Sequence, residues 1–319
     1  IDWKGENLLI LDGGFATELE RQGADLTGHL WSARLLRDNP SLIRSTHDLY
    51  YRAGADVGIT SSYQGTFAGF AKIGIDHAES IALFRSSVQL AKEARDAVWT
   101  SMQEDKSANR RKPLVAASVG CYGASLADGS EYVGNYGLSV NELKDFHRER
   151  LLVLAAEKPD VLACETVPCL AECQAILELL TEPAVKDLGI PAWISVSCKD
   201  GSRLNSGETV ESLAELIACK RPHLLVAVGV NCSSPHCVEG ALQTLSSRVH
   251  IPLVVYANTG EDWDGDKHAW KEGTAVDDDT FCNLALRWRE AGARIIGGCC
   301  RTTPQTISAL RATLLPPPP

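Results

Sequence analysis

Short apolar runs recur along the whole chain: Leu8–Leu11, Val57–Ser62, Leu114–Val119, Val161–Thr166, Ala192–Cys198, Leu224–Cys232, Leu253–Tyr256 and Ile295–Gly298. Runs of this length, rich in Val, Ile, Leu and Ala, read as strands covered on both faces. Between them, apolar residues return at helical spacing. Ile81, Phe84, Val88, Ala91 and Ala94 share one face of a helix over Glu79–Val98, and Leu143, Phe146, Leu151 and Leu154 share a face of another. Helices are also expected around Leu42 to Tyr50, Ala171 to Leu180, Leu213 to Ile217, Phe281 to Ala291 and Ile307 to Leu314. Their starts carry capping chemistry: Asn39-Pro40, Ser139 with Glu142, and Thr303-Pro304. Ser234-Pro235 is expected to open a helix in the same way, and the polar stretch Ser101–Lys112 to be a solvated loop.

Strand and helix alternating until eight strands are counted predicts an α/β fold, a single TIM-type (β/α)8 barrel over residues 1–315, with Pro316–Pro319 as a tail. An open, doubly wound sheet is the alternative. In a barrel the functional residues stand at the C-terminal ends of the strands. Asp12-Gly13-Gly14, Thr60-Ser61-Ser62, Glu165, Asn231-Cys232, Asn258 and Cys299-Cys300 all fall there and would share one mouth. Two long connections, Cys121–Leu138 with Tyr122, Tyr132 and Tyr136, and Gly260–Asp279 with Trp263 and Trp270, read as lids over that mouth, or as ordinary surface excursions.

Adjacent cysteines at a strand end are ambiguous. They can be two small hydrophobes, since free Cys is often buried, but a disulfide between neighbours needs strained geometry. Convergence with Cys232 favours chemistry: three thiolates suit one tetrahedral Zn2+ with a position left open. Three anionic sulfurs cancel the metal's charge and leave a bound water weakly activated, so such a site favours alkyl transfer to sulfur over hydrolysis. A four-ligand structural site would need Cys237 or His236, and a zinc-stabilised thiol sensor is the non-enzymatic alternative.

Composition narrows the picture. The chain has 319 residues, 45% of them hydrophobic, and no apolar run of membrane-spanning length. Eleven scattered cysteines and no basic-then-apolar leader predict a reducing, cytoplasmic setting. A net charge of -10 argues against nucleic acid and suits a cationic small molecule.

Leu11-Asp12-Gly13-Gly14-Phe15-Ala16-Thr17-Glu18-Leu19-Glu20, Leu30-Trp31-Ser32-Ala33, Thr60-Ser61-Ser62-Tyr63-Gln64, Ala127-Asp128-Gly129-Ser130-Glu131-Tyr132, Gly229-Val230-Asn231-Cys232 and Gly297-Gly298-Cys299-Cys300-Arg301-Thr302-Thr303-Pro304 together resemble the homocysteine S-methyltransferase family. The likeness spans nearly the whole chain and is nearest the branch that uses S-methylmethionine, which includes plant-type selenocysteine methyltransferases. It implies a zinc-bearing barrel that makes methionine from homocysteine and a sulfonium donor, S-methylmethionine or S-adenosylmethionine, with Cys232, Cys299 and Cys300 as ligands. Glu165 would take the homocysteine ammonium, Asp12, Gly13 and Gly14 would frame the amino-acid end, and Thr60, Ser61 and Ser62 would bind its carboxylate. Asn258 is a further candidate contact, Asn231 would orient the Cys232 turn, and Tyr122 or Tyr132 would face the donor cation. A monomer suffices for such chemistry. The chain departs from the family at Ala257-Asn258-Thr259-Gly260, where Pro-Asn-Ser-Gly is usual, and at Cys121, where Ser or Pro is usual.

Overall fold

The computed structural model describes residues 7–26, 31–104, 110–260, 263–264, 269–270 and 275–316. Strands β1 (Leu9–Ile10), β2 (Val57–Ile59), β3 (Leu114–Gly120), β4 (Val161–Val167), β5 (Ala192–Val196), β6 (Leu225–Asn231) and β7 (Leu253–Ala257) are followed by a two-stranded antiparallel ribbon, β8 (Trp263–Asp264) with β9 (Ala269–Trp270), and then by β10 (Ala293–Gly298). The large sheet runs β1-β10-β7-β6-β5-β4-β3-β2 with every pairing parallel. A parallel bridge from Leu11 to Val57 joins its two edges and closes the barrel. This closure excludes the open doubly wound alternative.

The strands read as continuous apolar runs because both faces are covered, by different partners. Leu9, Leu11, Val57, Leu114, Ala116, Val161, Ala163, Trp193, Ala227, Val254, Tyr256 and Ile295 point inward and fill the barrel. Their alternates, such as Ile10, Val115, Leu162, Ile194, Val228, Val255 and Ile296, pack outward against the helices. The inner packing is close: a Cβ at Gly229 would lie 1.7 Å from the Val254 carbonyl oxygen, so only glycine fits there. Carried one step beyond the core, the same alternation points Glu165, Asn231, Tyr256 and Cys299 into the mouth.

Three expected helix starts are present. Asn39 accepts from the Leu42 amide ahead of Pro40–Ala53, Ser139 and Glu142 form a capping box ahead of Val140–Ala156, and Thr303 caps Pro304–Leu314. Two expectations are corrected. Ser234-Pro235 opens only a turn, closed by the Cys237 amide on the Ser234 carbonyl at 3.1 Å, and the helix begins at Val238. The helix over Glu79–Val98 in fact runs His77–Glu104 and takes in the first residues assigned to a polar loop, because arginines, glutamates and lysines on a solvated helix face are good helix formers. Residues 105–109 of that loop and 317–319 of the proline tail lie outside the described residues. Among the described residues no helix is long and apolar enough to cross a membrane.

Candidate metal centre and substrate cavity

Cys299 continues β10 beyond its last residue, its amide bonding the Ala257 carbonyl at 2.8 Å. The chain then reverses sharply: Arg301 has φ 71°, and both the amide and the hydroxyl of Thr302 donate to the Cys299 carbonyl, at 3.1 and 2.7 Å. Cys232 closes β6 in the same manner, with φ 49° and its amide on the Tyr256 carbonyl at 3.0 Å. A non-glycine residue in left-handed backbone is uncommon and is held there by its surroundings. These two turns bring three sulfurs together: the Sγ atoms of Cys232, Cys299 and Cys300 all lie within 4.8 Å of one another, and Cys232 and Cys300 are 3.7 Å apart. A tetrahedron with Zn–S bonds of about 2.3 Å has an edge of about 3.8 Å, so the spacing and the donor set fit zinc. The cluster contains neither Cys237, whose thiol bonds the Ser234 carbonyl at 3.1 Å, nor His236, and among the described residues it has no fourth protein ligand. Hydrogen bonds from Cys232 and Cys299 hold the Cys300 thiol well below its ordinary pKa, whereas Cys299, bonded to the same two sulfurs, is pushed up.

Because the helix expected at Ser234-Pro235 starts later, only one of the two cysteine turns sits on a helix N-terminus. Cys299-Cys300 stands just before Thr303, the cap of the last helix, but Cys232 is a whole turn short of Val238.

The thiols open on a cavity of about 240 Å³ that Asp12, Gly13, Gly14, Thr60, Ser61, Glu165, Asn231 and Tyr132 also line. Glu165 accepts a short hydrogen bond from the Ser118 hydroxyl, and burial pushes its carboxyl up to about 7. Asp12 Oδ2 accepts from the Ile59 amide at 2.7 Å and its carboxyl, too, is raised by burial. The Tyr132 ring comes over the cavity from the turn Ser130–Tyr132, its hydroxyl 3.3 Å from Cys232 Sγ. Gly13 and Gly14 admit close approach: a Cβ on Gly14 would lie 2.7 Å from the Cys299 carbonyl oxygen, and one on Gly13 2.8 Å from Thr302 Oγ1.

Other expected contacts are turned elsewhere. Ser62 faces away from the mouth and donates to the Ser118 carbonyl at 2.7 Å, because alternation from Val57 and Ile59 points Ser61, not Ser62, inward. Thr60 lines the cavity, but its hydroxyl accepts from the Ser118 amide at 2.9 Å, while Ser61 Oγ has no partner among the described residues. Asn258 does not line the cavity; it accepts from the Cys300 amide at 3.1 Å and so fixes the metal loop. Asn231 clamps Thr166 rather than the Cys232 turn, accepting its amide at 2.8 Å and donating to its hydroxyl at 2.7 Å, which holds a left-handed residue beside Glu165. Tyr122 is packed edge-on between Tyr136 and Phe146 and does not reach the cavity. Cys121 is buried at the start of that segment. The side chains of Trp31, Trp263 and Trp270 lie outside the described residues. Several lining residues were not anticipated as site residues, among them Gln64, Glu131, Thr166 and Tyr256; Gln64 and Glu131 stand within the motifs Thr60–Gln64 and Ala127–Tyr132, which gave the one signal for them.

A wider cleft lies at the opposite, N-terminal ends of β3 and β4, where Arg95 pairs with Asp160 and Lys112 with Asp96. It offers no thiols.

Fold and site together define a class: a closed parallel (β/α)8 barrel with a three-cysteine metal-ligand cluster at its mouth. Comparison with known proteins narrows this to one family. The family model for homocysteine S-methyltransferase matches residues 9–314, and the chain belongs to that family. It is 46% identical over 307 residues to homocysteine S-methyltransferase 1 of Arabidopsis thaliana, covering 96% of this chain and 93% of that protein. It is 45% identical over 312 residues to a selenocysteine Se-methyltransferase of Brassica oleracea var. italica, covering 96% and 88%. The metallated form of the homocysteine methyltransferase MmuM from Escherichia coli superposes with a TM-score of 0.83 at 43% identity, over 96% of both chains.

Proposed function

We propose that the protein transfers a methyl group from a sulfonium donor, S-methylmethionine or S-adenosylmethionine, to homocysteine, giving methionine, with zinc held by Cys232, Cys299 and Cys300. The observation that carries this is the three-sulfur cluster opening on a cavity that also holds a buried carboxyl. Zinc on that cluster supplies an acceptor sulfur kept as thiolate at neutral pH. Everything else is done by the chain. Glu165, ionised, receives the homocysteine ammonium, with Ser118 and Tyr256 fixing its orientation. The unpartnered hydroxyl of Ser61, with Thr60 beside it, serves the carboxylate, and Asp12, Gly13 and Gly14 shape the wall against which the amino acid lies. The Tyr132 ring stands over the cluster and suits a sulfonium cation.

In the transfer step the acceptor's thiolate electrons form the new S–CH3 bond while the donor's S–CH3 bond breaks, and that bonding pair stays on the departing sulfur, which becomes neutral. No proton moves, so alignment rather than acid-base catalysis carries the rate. The equal likeness to a selenocysteine Se-methyltransferase supports selenocysteine as an alternative acceptor at the same site. We further propose that residues 1–315 act as one catalytic domain in the cytoplasm; the eleven free cysteines fit a reducing compartment.

The test is Cys232→Ala beside the wild type, both loaded with zinc. The wild type binds one equivalent and forms methionine from homocysteine with S-methylmethionine or S-adenosylmethionine but not betaine; the variant loses both metal and turnover while its far-ultraviolet circular dichroism is kept. Full zinc content in the variant overturns the assignment of ligands, and no turnover with any donor overturns the reaction.

A further inference from the structure

Two buried acceptor oxygens in the cavity have nothing to accept from. Glu131 Oε2 and Gln64 Oε1 are each buried without a hydrogen-bond partner among the described residues, and both residues line the same cavity as the thiols. Gln64 is 8% exposed, so bulk water does not serve it. A buried acceptor left unmade costs about 1–3 kcal/mol, and more when it is charged, so two of them facing one space call for a ligand that donates. Both line the cavity beside Tyr63 and Tyr132, their neighbours in the chain, which line it as well.

Their position differs from that of Glu165. Glu165 belongs to β4, at the base of the mouth, and is already held by Ser118. Glu131 belongs to the turn Ser130–Tyr132, beyond the strand ends, and is held in place by its backbone: its carbonyl accepts from the Ser197 hydroxyl at 3.2 Å, and its amide packs so closely on Gly123 that a Cβ there would lie 2.4 Å from it. Of its side chain, Oε2 remains uncommitted. In-line transfer aligns the acceptor sulfur, the methyl carbon and the donor sulfur, so the donor must share the one cavity that Glu131 and Gln64 line with the thiols.

We propose that Glu131 and Gln64 form the recognition site for the α-ammonium group of the methyl donor, so that the donor is selected as an amino acid and not merely as a sulfonium. This rests on the reaction proposed above. An ammonium carries three N–H donors and a positive charge. It satisfies both orphaned oxygens and neutralises a carboxylate whose burial otherwise pushes its carboxyl up to about 7. A cation without N–H groups, such as betaine or a simple trialkylsulfonium, leaves the Gln64 oxygen unpaired. Of the three carboxylates in the cavity, Asp12 is engaged by the Ile59 amide, which leaves Glu165 for the acceptor's ammonium and Glu131 for the donor's.

The experiment compares wild type, Glu131→Gln and Gln64→Leu, all zinc-loaded and matched for metal content and unfolding temperature, with two donors: S-methylmethionine, and a dimethylsulfonium carboxylate of similar chain length that lacks the amino group. E131Q is expected to raise KM for S-methylmethionine by roughly 10- to 100-fold, the loss of one charge-assisted hydrogen bond, and Q64L by a smaller factor in the same direction. KM for homocysteine and for the amine-free donor should change less than about threefold. A rise in the homocysteine KM instead, or equal losses with both donors, overturns the assignment. A wild type that forms no methionine overturns the reaction, and calorimetric titration with S-methylmethionine then decides the site alone: binding at least tenfold weaker to E131Q supports it, equal binding overturns it.

Discussion

Asn258 ends a strand at the mouth, as Glu165 and Cys232 do, yet it serves the metal loop and not the ligand. Its Oδ1 takes the Cys300 amide at 3.1 Å. Groups that orient metal ligands typically govern affinity by about 10- to 100-fold. Asn258→Ala is therefore expected to weaken zinc retention by about that factor, read by competition with a chromophoric chelator, while the barrel stays folded; an unchanged affinity would show the Cys300 loop to be held without it. Residues of this kind explain what the sequence could and could not convey. Cys299, Glu165 and Ser61 were legible because strand alternation points them inward, whereas Cys232, one residue past the inward Asn231, reaches the cluster only through its left-handed turn. Ser62 and Tyr122 looked equivalent by residue type but sit out of phase or beyond the strand, where alternation no longer decides direction. Glu131 lies on an aperiodic turn, and no period in the chain announces where its carboxylate goes.

The element on which the site depends is the seam between β1 and β10, closed by glycine. Gly14 donates to the Thr302 hydroxyl and carbonyl at 3.0 and 3.2 Å, its own carbonyl accepts from the Tyr50 hydroxyl at 3.0 Å, and a Cβ on Gly298 would lie 2.2 Å from Thr302 Oγ1. Thr302 thus locks the loop after the cysteines onto the loop after β1. Gly14→Ala forces a methyl against the Cys299 carbonyl, and by the usual cost of overpacking it should destabilise the fold by about 1–3 kcal/mol. Denaturant midpoints with and without zinc test this: the loss should be larger in the zinc-loaded protein, because the displaced carbonyl belongs to a ligand, and equal losses would place the strain away from the centre. At this scale the strands and most helices were legible, since apolar runs and capping residues are local. The start at Ser234-Pro235 was not. It resembles Thr303-Pro304, but Ser233 is drawn off to the Cys198 amide at 2.8 Å, and the chain leaves Cys232 left-handed, spending a turn before it can enter helical geometry.

For the whole molecule, eight strands predicted from pattern became a closed barrel whose count and order no local signal could prove; closure is a property of the Leu11–Val57 bridge, made by residues 46 apart in the chain. Packing on that scale also fixes how stability responds to pH. His47 is fully buried beside Phe15, ring centroids 4.6 Å apart, with neither ring nitrogen partnered among the described residues, and burial lowers its pKa from 6.5 to about 3. The folded protein therefore refuses a proton that the unfolded chain accepts below pH 6.5. Stability is unaffected by this group above that value and falls as pH drops from 6.5 toward 3. His47→Phe removes the titration and leaves an aromatic ring in an aromatic setting. With metal-free protein throughout, so that thiol protonation is common to both, the stability difference between variant and wild type should be constant above pH 7. Below 6.5 it should grow in the variant's favour by about 1.4 kcal/mol per pH unit. Urea unfolding at pH 7.5, 6.0 and 5.0 measures it; parallel curves at all three would mean that His47 takes up its proton in the folded state and that the barrel opens a polar path to it.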